Sequence, residues 1–261
     1  AIIVTLSTLQ IRTALPFTQL LQNVILGFNI ILALSQSPNH LMNKRDTNIY
    51  RRTALLALLL STLPTLVINL NYLIAASDGA VPWCVPYWDS CTSISATGRQ
   101  GLAFYFFKLT MLPLAVVYWV YWNSTYHALD AAGYLRRTIW TLGRIAVIAL
   151  VAYVLALGLA GDALQLTRRI GIILFFTLTY LCQLLLVYRQ IALGLKAPTQ
   201  RWQLRLLLTV LLVGLLTLIL DVGMDNYDSI EDAFEWLIAL LLHINFLLAA
   251  LTWRYLDKHS V

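Results

Sequence analysis

Six stretches of this chain are too apolar and too long for a water-soluble fold: residues 53–76, 102–122, 139–160, 170–188, 204–220 and 233–253. A helix crosses the hydrocarbon core of a bilayer with about 20 predominantly apolar residues. Within that core each backbone N–H and C=O needs a partner inside the protein, and runs this continuous find one most economically as helices. Pro64 stands inside the first run and is expected to kink it. Only 11% of the 261 residues are charged and 60% are hydrophobic, whereas a soluble domain carries roughly 25% charged residues. A soluble enzyme is excluded, because so few charges cannot cover its surface. Disorder is excluded by the same apolarity. The expected fold is all-α and polytopic, a six-helix transmembrane bundle over 53–258.

The N-terminal segment 1–34 leaves two placements open. Residues 17–34 are long enough to cross, but Gln19, Gln22, Asn23 and Asn29 recur at helical spacing and form one polar stripe. Such a segment is either a seventh helix or an amphipathic helix lying along the membrane surface. Residues 35–52, with Lys44, Arg45, Arg51 and Arg52, read as a cytoplasmic basic linker.

Charge sorts sharply between alternate loops. The 35–52 segment, the loops after the second and fourth runs and the C-terminus hold thirteen basic residues against three acidic ones. The opposite side holds Arg99, Arg168 and Arg169 against nine acidic residues. The positive-inside rule then puts the C-terminus in the cytoplasm and the loops 77–101, 159–169 and 221–232 on the periplasmic or lumenal side. The net charge of +6 is thereby explained by basic loops, and no nucleic-acid partner is expected. Tryptophans and tyrosines near span ends (Trp83, Tyr87, Trp88, Trp119, Tyr121, Trp122, Trp202, Trp253 and Tyr255) read as interfacial belts.

The longest outer loop, 77–101, carries Cys84 and Cys91. On an oxidising side these form a disulfide or remain two unrelated thiols. Four hydroxyls follow, in Thr92-Ser93-Ile94-Ser95-Ala96-Thr97-Gly98. Such a string suits a lipid headgroup or an ordinary helix cap and turn. Ionisable residues inside a membrane are costly and point to function. Lys108 lies roughly 9 Å into the second run, and Glu235 enters the last run from the same side. The two are expected to pair and, with Ser93, Ser95 and Thr97, to line an outward-facing headgroup pocket. Gln183, His243 and Asn245 are expected inside the bundle as helix–helix hydrogen-bonding groups.

The order Cys84-Val85-Pro86, Thr92-Ser93-Ile94-Ser95-Ala96, then a Gly and a span ending in Tyr118-Trp119 and Tyr121-Trp122-Asn123, resembles the Frag/DRAM/Sfk membrane family. It is most similar to the branch acting in lipid remodelling after GPI attachment. Glu235-Trp236, Asn245 and Trp253 in the last run agree with that resemblance. Thr92 stands where the family has proline, and 1–34 has no counterpart in its six-helix plan. The resemblance implies a protein that binds lipid or helps remodel it at the outer or lumenal leaflet. Acyl transfer, with Ser93 or Ser95 as nucleophile, is the reaction it would imply if there is turnover, though no catalytic motif is evident. The alternative is a structural subunit of a larger membrane complex. Membrane lipids, and other membrane subunits in the alternative, are the partners implied.

Several chemistries lack their residues. Of four histidines only His243 is embedded, so a His-rich zinc site cannot be assembled, and no metal is expected. The last run has no lysine for a retinal Schiff base, and no P-loop or GxGxxG is present, so no cofactor is expected. Arginine outnumbers lysine 14 to 4. With the minimal loops, that favours a bacterial inner membrane over a Golgi or other endomembrane.

Overall fold

Among the described residues, six long helices carry the chain back and forth, and two short ones fold over one end. The computed structural model describes residues 47–129, 134–224 and 227–259. The expectations for 1–34 and for most of 35–52 therefore fall outside the described residues. The elements are α1 (Thr47–Ser77), α2 (Pro86–Asp89), α3 (Ile94–Thr97), α4 (Gly101–Ala128), α5 (Tyr134–Ala156), α6 (Asp162–Ala192), α7 (Gln200–Gly223) and α8 (Asp228–His259). All six long helices are apolar and long enough to cross a membrane, so the protein is an all-α polytopic membrane bundle.

Most helices outrun the apolar stretches that mark them. α6 begins at Asp162, eight residues before its apolar run, and α8 begins at Asp228. Much of what reads as outer loop, 159–169 and 221–232, is helix instead. Apolarity marks only the part of a helix immersed in hydrocarbon, while the i→i−4 bonds continue into the polar turns beyond. Local chemistry sets several ends. Pro86 opens α2, and Asp89 Oδ2 accepts the Val85 N–H at 2.7 Å. Asp78 Oδ2 accepts the Leu102 N–H at 3.3 Å in the first turn of α4. Arg168 Nη1 donates to the Leu159 carbonyl at 2.7 Å, just past the end of α5.

α1 packs between α4 and α8, α4 also packs on α5, α5 on α6, and α7 lies mainly against α8. The core is lined with small side chains, including Ala57, Ala75, Ala103, Ala146 and Ala149, while leucines of α1 and α7 point outward. This is the packing a bilayer favours, since lipid tails accept leucine as readily as a core does and small residues let helices approach. Trp122, Trp236 and Trp253 are fully buried, as are Tyr121 and Phe246. Tyr118 and Tyr121 set their rings edge-on to Phe246. Tyr121, Trp122 and Trp253 thus belong to the core and not to an interfacial belt. Belt-like exposure is kept by Trp83, Trp88 and Trp202. Position along a helix places an aromatic at a membrane depth, but which side of the helix it occupies decides whether it meets lipid.

Candidate functional site

The loop between α1 and α4 folds into a cap over one end of the bundle. Cys84 and Cys91 are joined by a disulfide, with 6.6 Å between their Cα atoms. Tyr72 of α1 holds the first of them by its backbone. Its hydroxyl donates to the Cys84 carbonyl at 2.8 Å and accepts the Cys84 N–H at 2.7 Å. The Asn69 amide donates to the Tyr87 hydroxyl at 2.9 Å. Burial holds the Tyr87 phenol above its usual value near 10, against the opposing effect of the Asn69 hydrogen bond. From α8, Trp236 Nε1 donates to the Thr92 carbonyl at 2.8 Å, and the Ala233 N–H donates to Ser90 Oγ at 3.1 Å. Ser90 adopts a left-handed backbone at φ 50°, which turns the chain from α2 back toward α8.

The hydroxyl string divides into separate tasks. Ser93 caps α3, accepting the Ala96 N–H at 3.1 Å. Ser93 and Ser95 lie 3.1 Å apart, and Arg99 Nη2 donates to Ser95 Oγ at 3.0 Å. Thr97 is buried and serves structure, donating to the Ile94 carbonyl and accepting from the Asn71 amide at 3.0 Å. Neither Ser93 nor Ser95 is hydrogen-bonded to a histidine or a carboxylate among the described residues, so neither has a base that would activate it as a nucleophile.

Lys108 and Glu235 do not pair. The Lys108 ammonium donates to the Leu155 carbonyl of α5 at 3.2 Å and sits 4.1 Å over the Phe104 ring. Glu235 lies on α8 beneath the cap, beside the Ile94 N–H, and among the described charged side chains Asp232 and Arg99 are near enough to act on it. The two residues share a depth but not a direction: Lys108 turns to α5, while Glu235 lies beneath the cap. Arg99, the cation that does face Glu235, comes from the cap and is invisible to any reading confined to the spans. Ser93, Ser95, Arg99 and Glu235 are therefore brought to one end of the bundle, and Lys108 is not among them.

The bundle-interior groups are helix–helix partners. Asn245 Nδ2 donates to Gln183 Oε1 at 2.9 Å, and Gln183 Nε2 donates to the Leu242 carbonyl at 3.3 Å. His243 Nδ1 lies 3.0 Å from Thr65 Oγ1. A second buried network was not legible beforehand. Thr252 Oγ1 donates to Gln203 Oε1 at 2.9 Å and lies 2.6 Å from Thr199 Oγ1, and Gln200 Nε2 donates to the Leu195 carbonyl at 2.7 Å. Glutamines at a helix start look like surface residues in sequence. Beneath the cap lies an apolar cavity of about 30 Å³, lined by Ile68, Ile94, Phe107, Tyr153, Ala239 and His243 among others. Among the described residues, no group of three His, Cys, Asp or Glu converges to hold a metal ion.

Comparison of the chain with protein-family models, with curated proteins and with solved structures finds no match.

Proposed function

We propose that this integral membrane protein engages a lipid headgroup at its capped end, in the manner of the Frag/DRAM/Sfk type, and binds lipid without turning it over. The observation that carries the reading is Glu235. It is a carboxylate near the end of a spanning helix, beneath a disulfide-stapled cap, with no ion-pair partner within 4 Å among the described residues. An ionisable group is kept in such a place at a cost, which by default marks function. Ser95 and Arg99 supply hydroxyl and guanidinium groups to the same end, a set that suits a headgroup with both a phosphate and a donor. The excess of arginine over lysine and the short loops favour a bacterial inner membrane, with the cap on the outer side.

Native mass spectrometry of the purified protein against a panel of phospholipids tests this. Glu235→Gln and Arg99→Gln are each expected to weaken lipid retention about tenfold, the loss of one hydrogen bond to a charged group. Lys108→Gln is expected to leave it unchanged. Wild-type retention in both Glu235→Gln and Arg99→Gln would sink the reading.

A second reading, a structural subunit of a larger membrane complex, is favoured by one observation. Only 17% of the most apolar window of α7 is buried, the least of the six spans. Co-purification of a stoichiometric partner, lost when Leu208 and Leu212 are changed to tryptophan, would support it.

A further inference from the structure

We propose that the ladder of arginines and aromatic rings between α4 and α5, at the basic end opposite the cap, holds the phosphate of an anionic phospholipid. Arg144 leaves α5 inside the apolar stretch 139–160. Its guanidinium does not remain there. Arg144 Nη2 donates to Asn123 Oδ1 at 3.1 Å, and Asn123 is the first residue past the apolar stretch 102–122 of α4. The side chain thus carries its charge toward the boundary of the hydrocarbon, where lipid phosphates lie.

That position is fixed by aromatic faces. The Arg144 guanidinium carbon lies 3.7 Å from the Trp140 ring centroid and 4.3 Å from that of Trp119, so the cation is sandwiched. Trp140 Nε1 donates to the same Asn123 oxygen at 2.7 Å. One turn from Trp140 toward the end of the bundle, Arg136 lies 3.7 Å over the Tyr126 ring, and Tyr126 in turn packs against Trp140 at 5.5 Å. Arg136, Tyr126, Trp140, Arg144 and Trp119 form one continuous ladder between the two helices.

Two arginines held this way have no counter-charge among the described residues. Neither forms an ion pair among the described residues, and Nε of each is buried without a hydrogen-bond partner. Stacking consumes the faces of a guanidinium and Nε is enclosed, so the terminal Nη groups are what each arginine can offer an oxyanion. A zwitterionic headgroup offers the same phosphodiester but brings its own ammonium, which two neighbouring guanidinium groups repel. The side of the protein that holds thirteen basic residues against three acidic ones is also the side that meets the anionic leaflet, if charge sorting sets its orientation. The chemistry fits a phosphodiester on a lipid better than a phosphate in solution, because all five members of the ladder are half-buried along two spanning helices.

The test uses the full chain in neutral detergent. Retention of phosphatidylglycerol is compared with that of phosphatidylcholine by native mass spectrometry, and melting temperature is followed with each lipid and with inorganic phosphate alone. The wild type is expected to retain phosphatidylglycerol preferentially and to melt higher with it. Arg144→Gln and Arg136→Gln are each expected to weaken that retention about fivefold, as for one basic residue near a membrane surface. Arg201→Gln, a charge at the same end of the bundle on α7, is expected to leave it unchanged. Equal retention of the two lipids by the wild type would overturn the proposal, and that comparison stands even if Arg144→Gln fails to fold. So would an equal loss in Arg201→Gln, which would mean diffuse charge and no site, or a full melting shift with inorganic phosphate alone, which would mean the lipid is not the ligand.

Discussion

Tyr72 has one hydroxyl and spends both its hydrogen-bonding capacities on the same cysteine. It accepts from the Cys84 N–H and donates to the Cys84 carbonyl, so phenylalanine there leaves two backbone groups without their partner. Tyr72→Phe is expected to cost about 1–3 kcal/mol, read as a lower melting temperature in detergent. Because the hydroxyl and the disulfide restrain the same turn, the penalty should shrink once the Cys84–Cys91 bond is reduced. A penalty that survives reduction in full would mean the two act independently. Tyr87 gives the cap a pH dependence with a definite sign. Burial raises its pKa in the folded protein above the usual value near 10, so folding favours the protonated phenol. The contribution is fully present below pH 10 and is lost as pH rises through the folded-state value. Melting between pH 8 and about 11.5 should fall less steeply in Tyr87→Phe than in the wild type, and identical slopes would show that Tyr87 stays solvated. At this scale the sequence carried part of the answer. The two cysteines and the hydroxyl string were visible as a cluster. That Thr97 would serve Asn71 and Ser95 would serve Arg99 was not, since those partners are set by how a 23-residue loop folds back.

Between elements, two glycines predict opposite outcomes. Gly143 of α5 faces α4 so closely that a Cβ would stand 2.5 Å from Trp122 Cγ. Trp122 is fully buried and cannot swing away. Gly143→Ala should therefore force the two helices apart and destabilise by about 1–3 kcal/mol. It should also loosen the adjacent aromatic ladder that holds Arg144. Gly214 of α7 has open space where a Cβ would be. Gly214→Ala should stabilise by about 0.5–1 kcal/mol, through helix propensity alone. Paired thermal melts check both, and the same sign for the two would refute the packing argument. Helix-level facts explain what the sequence could and could not disclose here. Six spans followed from apolar length, because the bilayer imposes one number on all of them. The Lys108–Glu235 pairing failed because depth is legible along one dimension and azimuth is not. Only the packing of the helices turns one charge toward α5 and leaves the other beneath the cap.

The whole molecule carries polarity along one axis: a disulfide-stapled cap with carboxylates at one end, arginines on aromatic faces at the other. Insertion reads the basic end, because arginine and lysine in short loops resist translocation. With thirteen basic residues against three acidic ones assigned to that side by the sequence, the cap should lie outside and the α6–α7 connection in the cytoplasm. Asp162 and Lys196 are exposed at opposite ends of the α6 segment, and the single free cysteine, Cys182, is buried and gives little background. In intact cells a membrane-impermeant maleimide is expected to label Asp162→Cys directly, and Lys196→Cys only after permeabilisation. The reverse pattern would invert the orientation and with it the assignment of the two lipid-facing ends to leaflets. It would leave the Glu235 and Arg144 environments themselves untouched, since those are set by packing within the bundle. Labelling of both positions in intact cells would instead mean mixed insertion, and the charge asymmetry would then be too weak to explain a single orientation.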